Sequence, residues 1–186
     1  MKVGLNLFFV PYRTLTDPFF QQKQQSMSIN QQDVEFMQEA IALARRGMIL
    51  NIGGPFGAIV VHQGSIIGHG MNRVTSHNDP TAHAEIVAIR EACAHLESYQ
   101  LTECTIYTTC EPCPMCLGAI YWARPARLVY AADRNDASVA GFDDDYIYRE
   151  IQLLPGDRHL PTESLGRALA LPLFKEWDAK KDKQMY

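Results

Sequence analysis

Two short groups of metal-binding residues, far apart in the sequence, place the strongest constraint on how this chain can fold. The first group is His83-Ala84-Glu85, and the second is Cys113-Pro114-Met115-Cys116. One imidazole and two thiolates can hold Zn²⁺ with three protein ligands and leave the fourth tetrahedral position open, as in catalytic zinc sites. The fold must therefore bring both groups to one place.

Glu85 has the position of a proton carrier beside such a site. A hydrolytic zinc site needs a carboxylate that moves protons without binding the metal. Residues two apart do not face each other on a regular helix, so His83 and Glu85 can reach one site only if a helix starts at about His83. The run Asn78-Asp79-Pro80-Thr81 is rich in turn and N-cap residues and favours that start.

The cysteine group also indicates a helix start. Pro112 is a natural first residue of a helix, on which Cys113 and Cys116 would share one face. A helix N-terminus lowers thiol pKa values and favours thiolates. Alone, a pair spaced C-x-x-C is also typical of redox and structural zinc sites. Cys110 continues the spacing and could close a four-ligand structural site, although we expect it in the loop before the helix.

The composition favours a globular protein of the cytoplasm. The 186 residues, 47% hydrophobic and 20% charged, suit one domain with a sizeable core. No apolar run approaches the roughly 18 residues of a membrane span. The odd number of cysteines indicates a reducing compartment, and we expect Cys93 and Cys104 to be packing residues. The net charge of −4 argues against nucleic acid as a partner.

Residues 1–30 differ from the rest of the chain. They mix apolar residues and prolines, and then carry a polar run from Gln21 to Gln25. The stretch from Val3 to Val10 has a single preceding lysine and no clear cleavage site, so an exported protein is the minor alternative. We predict that residues 1–30 are a poorly ordered extension, or that the start has been placed too early and Met27 is the first residue.

Hydrophobic periodicity predicts an α/β layer fold with helices on both faces of a sheet. Apolar residues at helical spacing predict an amphipathic helix over 33–49. The further predicted elements are strands at 56–62 and 65–71, a helix from about 83 to 96, a strand at 104–109, a helix at 113–122 and a strand at 127–132. Both metal-binding groups then fall at helix starts, the second directly after a strand, where α/β ligand sites usually lie.

The motifs resemble the cytidine deaminase-like superfamily of zinc hydrolases, and within it the small bacterial guanine deaminases. The similarity runs from about residue 33 to residue 186. Four segments carry it: Gly53-Gly54-Pro55-Phe56-Gly57-Ala58, Asn78-Asp79-Pro80-Thr81-Ala82-His83-Ala84-Glu85, Cys110 through Arg124, and Ala140-Gly141-Phe142-Asp143-Asp144. The resemblance implies a deaminase domain over 31–186, folded as a three-layer α/β/α sandwich around a central mixed sheet.

The resemblance also implies roles for individual residues. His83, Cys113 and Cys116 would bind one Zn²⁺ per subunit, and Glu85 would shuttle protons while guanine is hydrolysed to xanthine and ammonia in purine metabolism. The implied contacts with the base come from Asn72, the backbone amide of Ala84 or Glu85, Asp144 and Tyr186.

Asp144 is the residue that favours guanine. Guanine offers its N1–H and its amino group as donors, and an ionised carboxylate only accepts hydrogen bonds. The run Asp143-Asp144-Asp145 is also typical of a solvated acidic turn, and the choice among the three aspartates stays open at this point.

The C-terminal segment, residues 160–186, has the apolar residues Phe174, Trp177 and Tyr186 in a charged sequence. The pattern alone predicts a frayed amphipathic helix. Similar enzymes exchange this segment between two subunits, so the resemblance implies a homodimer in which Tyr186 reaches into the partner's active site.

Three alternatives to a guanine deaminase remain. A tRNA adenosine deaminase shares the zinc motif and would carry a basic surface for RNA. A cytidine or cytosine deaminase would differ in the base that releases ammonia. A non-catalytic interaction protein stabilised by zinc would need a fourth ligand such as Cys110.

Overall fold

A computed structural model of the protein describes residues 28–185. Tyr186 and nearly all of the predicted extension over 1–30 lie outside the described residues. The elements are α1 (Gln31–Ile49), β1 (Gly57–His62), β2 (Ser65–Met71), α2 (Val74–His77), α3 (Ala84–His95), β3 (Cys104–Cys110), α4 (Pro114–Ala123), β4 (Arg127–Ala132), α5 (Arg134–Val139), α6 (Asp144–Gln152), a 3₁₀ turn (Pro155–Asp157) and α7 (Arg167–Ala179). Each element predicted between 33 and 132 is present, with its ends within two residues of the prediction.

The four strands form a mixed sheet in the order β2-β1-β3-β4. Strand β1 is antiparallel to both of its neighbours, whereas β3 and β4 are parallel. The turn between β1 and β2 has positive φ at Gln63 and at Gly64, as a two-residue hairpin turn of type I′ requires. The connection between the parallel strands contains α4, so α4 begins at the carboxyl end of β3.

Strand β1 buries both of its faces, which makes it the centre of the fold. Ala58 and Val60 belong to a core cluster with Ala84 and Ala88 of α3, and Ile59 belongs to a second cluster with residues of α1 and β3. Because successive side chains of a strand point to opposite faces, the two clusters lie on opposite sides of the sheet. The predicted three-layer sandwich is confirmed. No helix in the part of the chain that the structure describes is long and apolar enough to cross a membrane.

Helix α3 lies unusually close to β2 because β2 carries two glycines beneath it. A Cβ added to Gly70 would lie 1.8 Å from the carbonyl oxygen of Ala84, and one added to Gly68 would lie 2.4 Å from that of Ala88. Both alanines are fully buried. Ala84 is flanked by His83 and Glu85, so this contact fixes the end of α3 that carries the first metal-binding group.

We predict that Gly70→Ala destabilises the protein and weakens its hold on zinc, because the added methyl group must push α3 away from the sheet. Overpacking of this kind costs about 1–3 kcal/mol. The control is Gly118→Ala, at a helical position where an added Cβ meets nothing within 4 Å. The measurements are the thermal unfolding midpoint and the zinc content after dialysis. Equal stability of the two variants would contradict the prediction.

Candidate metal centre and substrate cavity

The two metal-binding groups meet because each places its first ligand just before a helix. His83 is the N-cap of α3 and Cys113 is the N-cap of α4, and both have extended backbones, with ψ of 156° and 167°. Neither side chain caps its own helix. The helix start at His83 is confirmed, whereas the start at Pro112 is wrong, because Pro114 is the first residue of α4.

The geometry of the three ligands fits a zinc ion. The ligand atoms of His83, Cys113 and Cys116 all lie within 4.8 Å of one another. His83 Nδ1 is 3.6 Å from Cys113 Sγ. A tetrahedral Zn²⁺ with bonds of about 2.3 Å to sulfur and about 2.0 Å to nitrogen would hold these two atoms about 3.5 Å apart. Little movement is needed to complete the site.

The two thiols share one proton, so that Cys113 is the thiolate and Cys116 the thiol of a hydrogen-bonded pair. Hydrogen bonds from the Cys116 thiol and from His83 lower the pKa of Cys113 to about 4. Because the Cys116 thiol donates to the Cys113 thiolate, its own pKa is raised. The contact with Cys113 also raises the pKa of His83. A bound Zn²⁺ would take the place of these protons, since zinc binds thiolate and neutral imidazole.

Glu85 is a buried carboxyl group beside the ligands. It is the second residue of α3, it is 6% exposed, and its carboxyl group is within hydrogen-bonding reach of Cys116. Burial is the main cause of a raised pKa at this residue. A carboxyl group whose pKa is shifted toward neutrality can both take up and release a proton.

Cys110 is outside the ligand group. We expected it in the loop before the second helix, but it is the last residue of β3. Pairing with β4 extends to this position, opposite Ala132. Its thiol donates to the Asp133 carbonyl oxygen at 3.6 Å, and burial raises its pKa to about 11. The four-ligand structural site therefore has no support in the structure.

A cavity of about 210 Å³ opens in front of the ligands. It is smaller than the usual pocket of a drug-sized ligand and suits a small heterocycle. Its lining comprises Gly54, Phe56, Asn72, Val74, Thr75, His83, Glu85, Cys110, Glu111, Cys113, Phe142 and Asp144.

Asn72 is a buried polar residue that lines this cavity. Its side-chain oxygen accepts hydrogen bonds from the backbone N–H groups of Gly54, at 3.3 Å, and Val74, at 3.2 Å. These two donors identify which end of the amide is the oxygen. The NH₂ group is therefore the end that can donate to a ligand.

Asp144 is the one residue of the three-aspartate run that lines the cavity. It is the first residue of α6, and Asp143 is the N-cap. Asp145 points elsewhere and pairs with Arg149, one turn further along the helix. Burial raises the pKa of Asp144, and the negative charge of Cys113 adds to that rise. The positions of the three aspartates around α6 thus single out Asp144 as the candidate for contact with the base, a choice that the sequence alone left open.

Two aromatic residues of the cavity were missed in the sequence. The rings of Phe56 and Phe142 meet edge to face, with centroids 4.6 Å apart. Both occur beside glycines in the segments that carry the family resemblance, which was the available signal. Their contact joins a residue before β1 to one before α6, and it gives the cavity an apolar wall against which a flat ring can pack.

The remaining predicted residues are Ala84 and Tyr186. Ala84 is fully buried, and as the first residue of α3 it has an N–H outside the helical ladder. Its side chain is not part of the cavity lining. Tyr186 lies outside the described residues.

Comparison with known proteins finds deaminases by family, by sequence and by structure. Residues 30–132 match the cytidine and deoxycytidylate deaminase zinc-binding region. The guanine deaminase of Bacillus subtilis is 51% identical over 151 residues, which are 81% of this chain and 97% of that protein. The crystal structure of the Bacillus subtilis guanine deaminase has a TM-score of 0.81 and 49% identity, and the match covers 85% of this chain and 99% of the other. A tRNA-specific adenosine deaminase of Buchnera aphidicola is 52% identical over 82 residues, 44% of this chain and 54% of that protein.

We predict that the purified protein binds one zinc ion per chain, and that Cys116→Ala loses it because only two ligands remain. Cys110→Ser is the matched control, since it changes a neighbouring thiol outside the ligand group. The measurement is zinc content by elemental analysis after gel filtration. Loss of zinc from Cys110→Ser would restore the four-ligand alternative.

Proposed function

Since this chain belongs to the cytidine and deoxycytidylate deaminase family of zinc hydrolases, we propose that it converts guanine and water to xanthine and ammonia. The main observation behind this choice of base is the position of Asp144 in the cavity that the metal ligands open into. The near full-length similarity to a guanine deaminase supports the same choice.

We propose His83, Cys113 and Cys116 as the ligands of one Zn²⁺ per subunit. When bound, the ion supplies activation of a water molecule at neutral pH. Three protein ligands leave one tetrahedral position free for that chemistry.

Glu85 moves the protons of the proposed reaction. It takes a proton from the attacking water and delivers it to N3 of the ring as the C2–O bond forms. The proton of the hydroxyl group now on C2 then passes through the same carboxylate to the amino group on C2, so that the C–N bond breaks, ammonia leaves and the C2 carbonyl of xanthine forms. Burial of Glu85 keeps solvent from competing for these protons.

Recognition of guanine would use one side chain that donates a hydrogen bond to the base and one that accepts a hydrogen bond from it. The Asn72 NH₂ group donates to an acceptor of the base, such as O6 or N7. The Asp144 carboxylate accepts from N1–H. The amide of Ala84 or Glu85 at the start of α3 and Tyr186 are the further proposed contacts with the base.

We expect the zinc-loaded protein to release ammonia from guanine and to form xanthine. Glu85→Gln should lower kcat by about 10²–10⁴-fold, because it removes the general acid–base group while leaving the ligands in place. The assay offers guanine, adenine, cytosine, cytidine and an RNA anticodon stem-loop separately. The stem-loop tests the second candidate, a tRNA adenosine deaminase, which the similarity of the central region favours.

Inosine in the stem-loop, with guanine unchanged, would contradict the proposal and assign the chain to tRNA editing. Ammonia from cytosine or cytidine alone would contradict it in favour of a pyrimidine deaminase. Zinc content is measured in each sample, so that loss of the metal is distinguished from loss of the proton carrier.

We further propose that the protein is a homodimer that exchanges residues 160–186. Helix α7 exposes Leu169, Leu173 and Phe174 to solvent, and they are 84%, 63% and 71% exposed. Apolar side chains this concentrated mark an interaction surface. Trp122 of α4, 63% exposed, faces the same segment across a cavity of about 560 Å³. A second copy would cover these side chains and bring Tyr186 to the other active site.

We expect deletion of residues 175–186 to abolish guanine turnover while zinc stays near one per chain, because the cavity would lose its cover but not its ligands. The control is Lys180→Ala, which removes an exposed ion pair of the same segment and little stability. Turnover, zinc content and mass by analytical ultracentrifugation are compared. Full activity of the truncated chain would contradict the proposed exchange.

The proposed reaction belongs to purine salvage and catabolism. All five cysteines are free thiols, and two of them are proposed as zinc ligands. A reducing compartment suits such a protein, and we propose the cytoplasm.

A further inference from the structure

Tyr148 connects the helix that carries Asp144 to the loop that carries a zinc ligand. The Tyr148 hydroxyl donates a hydrogen bond to the backbone carbonyl oxygen of Pro112, at 2.8 Å. Pro112 immediately precedes Cys113. Tyr148 follows Asp144 by four residues on α6, so both side chains lie on one face of that helix.

The loop formed by residues 111–113, here called the cysteine loop, is held at Glu111 on one side of Pro112 and at Cys113, whose carbonyl oxygen accepts from the Leu117 N–H, on the other. Pro112 has no N–H to donate. Glu111 makes two contacts, as its N–H donates to the Ala132 carbonyl oxygen at 2.8 Å and its carboxylate accepts from the Arg134 N–H at 3.2 Å. The Pro112 carbonyl, which is nearest to the ligand, is held by a side chain from α6.

The Tyr148 ring is itself held in place. The Arg134 guanidinium lies over the ring, 5.0 Å from its centre. The backbone of the same arginine is bound to Glu111 of the cysteine loop. The hydroxyl contact and the ring contact therefore connect α6 and the cysteine loop by two routes, one direct and one through Arg134.

We infer that Tyr148 is a positioning residue that fixes the distance between Asp144 and the zinc ligands. The inference rests on the proposed function, in which Asp144 binds the base while the ligands hold the metal at which it reacts. A displacement of about 1 Å between such groups is costly to a reaction. Tyr148 is neither one of the residues that line the cavity nor one of the proposed zinc ligands, so it acts through Asp144 and the cysteine loop.

The first test is Tyr148→Phe, which keeps the ring over Arg134 and removes only the hydroxyl. One hydrogen bond has a net value of about 0.5–1.5 kcal/mol, so we expect KM for guanine to rise by about twofold to tenfold. We expect kcat to change less than KM, because Glu85 and the ligands are unchanged. A lower unfolding temperature with unchanged KM would show a merely structural role and overturn the inference.

The matched control is Tyr146→Phe on the same helix. Tyr146 is two residues from both Asp144 and Tyr148, so it lies on a different face of α6, and its ring lies beside His159 with centroids 5.9 Å apart. Its KM should equal that of the unmodified protein. An equal rise of KM in both variants would overturn the inference, since the effect would then belong to α6 in general.

The second test asks whether Tyr148 acts through Asp144. In a zinc-loaded Glu85→Gln background, in which turnover is slowed by about 10²–10⁴-fold, equilibrium dialysis with labelled guanine gives the Kd once the dialysate is checked to be free of xanthine. Tyr148→Phe should weaken binding in this background. It should weaken binding no further once Asp144→Asn is also present. If the fold-increases in Kd caused by Tyr148→Phe and by Asp144→Asn multiply in the double variant, the two residues act independently and the inference is overturned.

A third measurement separates failure of the inference from failure of the proposed function. The rate at which a chelator removes zinc reports on the cysteine loop without any substrate. Tyr148→Phe should release zinc about twofold to tenfold faster than Tyr146→Phe. Equal rates of zinc release would overturn the inference that the Tyr148 contact fixes the cysteine loop. Faster release in a protein that neither binds nor deaminates guanine would support that contact and refute the proposed function.

Discussion

The site depends on two helices that begin side by side with an extended residue in front of each. His83 precedes α3 and Cys113 precedes α4, and the two helices start near the carboxyl ends of β2 and β3, which lie on the same side of the sheet. Because the N-cap residue has an extended backbone, its side chain does not point in the direction that a helical residue at the same position would give it. If α3 began one residue earlier, His83 and Glu85 would be separated by about 200° around the helix axis, and they could not face one site.

The packing of the core sets where these helices begin. Helix α3 is fixed by its close contact with Gly68 and Gly70, so its start cannot slide along the sheet without a collision between backbones. Helix α4 is fixed differently, since it starts where β3 ends and Pro114 is its first residue. The same contacts that bury the alanines of α3 also place the imidazole against the thiolates, and stability and metal binding are therefore linked.

Much of this fold could be predicted because its signals are local. Strand β1 is a continuous apolar run, α1 has a regular apolar stripe, and the turn at Gln63-Gly64 requires residues that tolerate positive φ. The start of α3 followed from chemistry, since His83 and Glu85 serve one site only at a helix end. The start of α4 was misplaced because proline suits both position 112 and position 114.

What could not be predicted depends on contacts between distant segments. Cys110 continues β3 because β4 pairs with it, and β4 is formed by later residues. The contact of Phe56 with Phe142 joins residues that are far apart in the sequence, and no periodicity indicates it. Asp144 was separable from its neighbours only through the phase of α6, which places Asp144 and Tyr148 on the face toward the site. Local patterns give the ligands, whereas tertiary contacts give the shape of the cavity.

The cavity carries an asymmetry that argues for one purine over the other. Asn72 is limited to donating because two backbone N–H groups occupy its oxygen, and an ionised Asp144 is limited to accepting. Guanine offers acceptors at O6 and N7 and a donor at N1. Adenine has an acceptor at N1 and a donor amino group at C6. If Asn72 donates at the O6 position, adenine in the same orientation would set its N1 lone pair against the carboxylate and its amino group against the Asn72 NH₂ group. A site with buried polar groups of fixed direction rejects a ligand that leaves them unpaired more strongly than an apolar pocket does. Under the proposed function, discrimination against adenine would therefore begin with the two hydrogen bonds that fix the direction of the Asn72 amide before any base is bound.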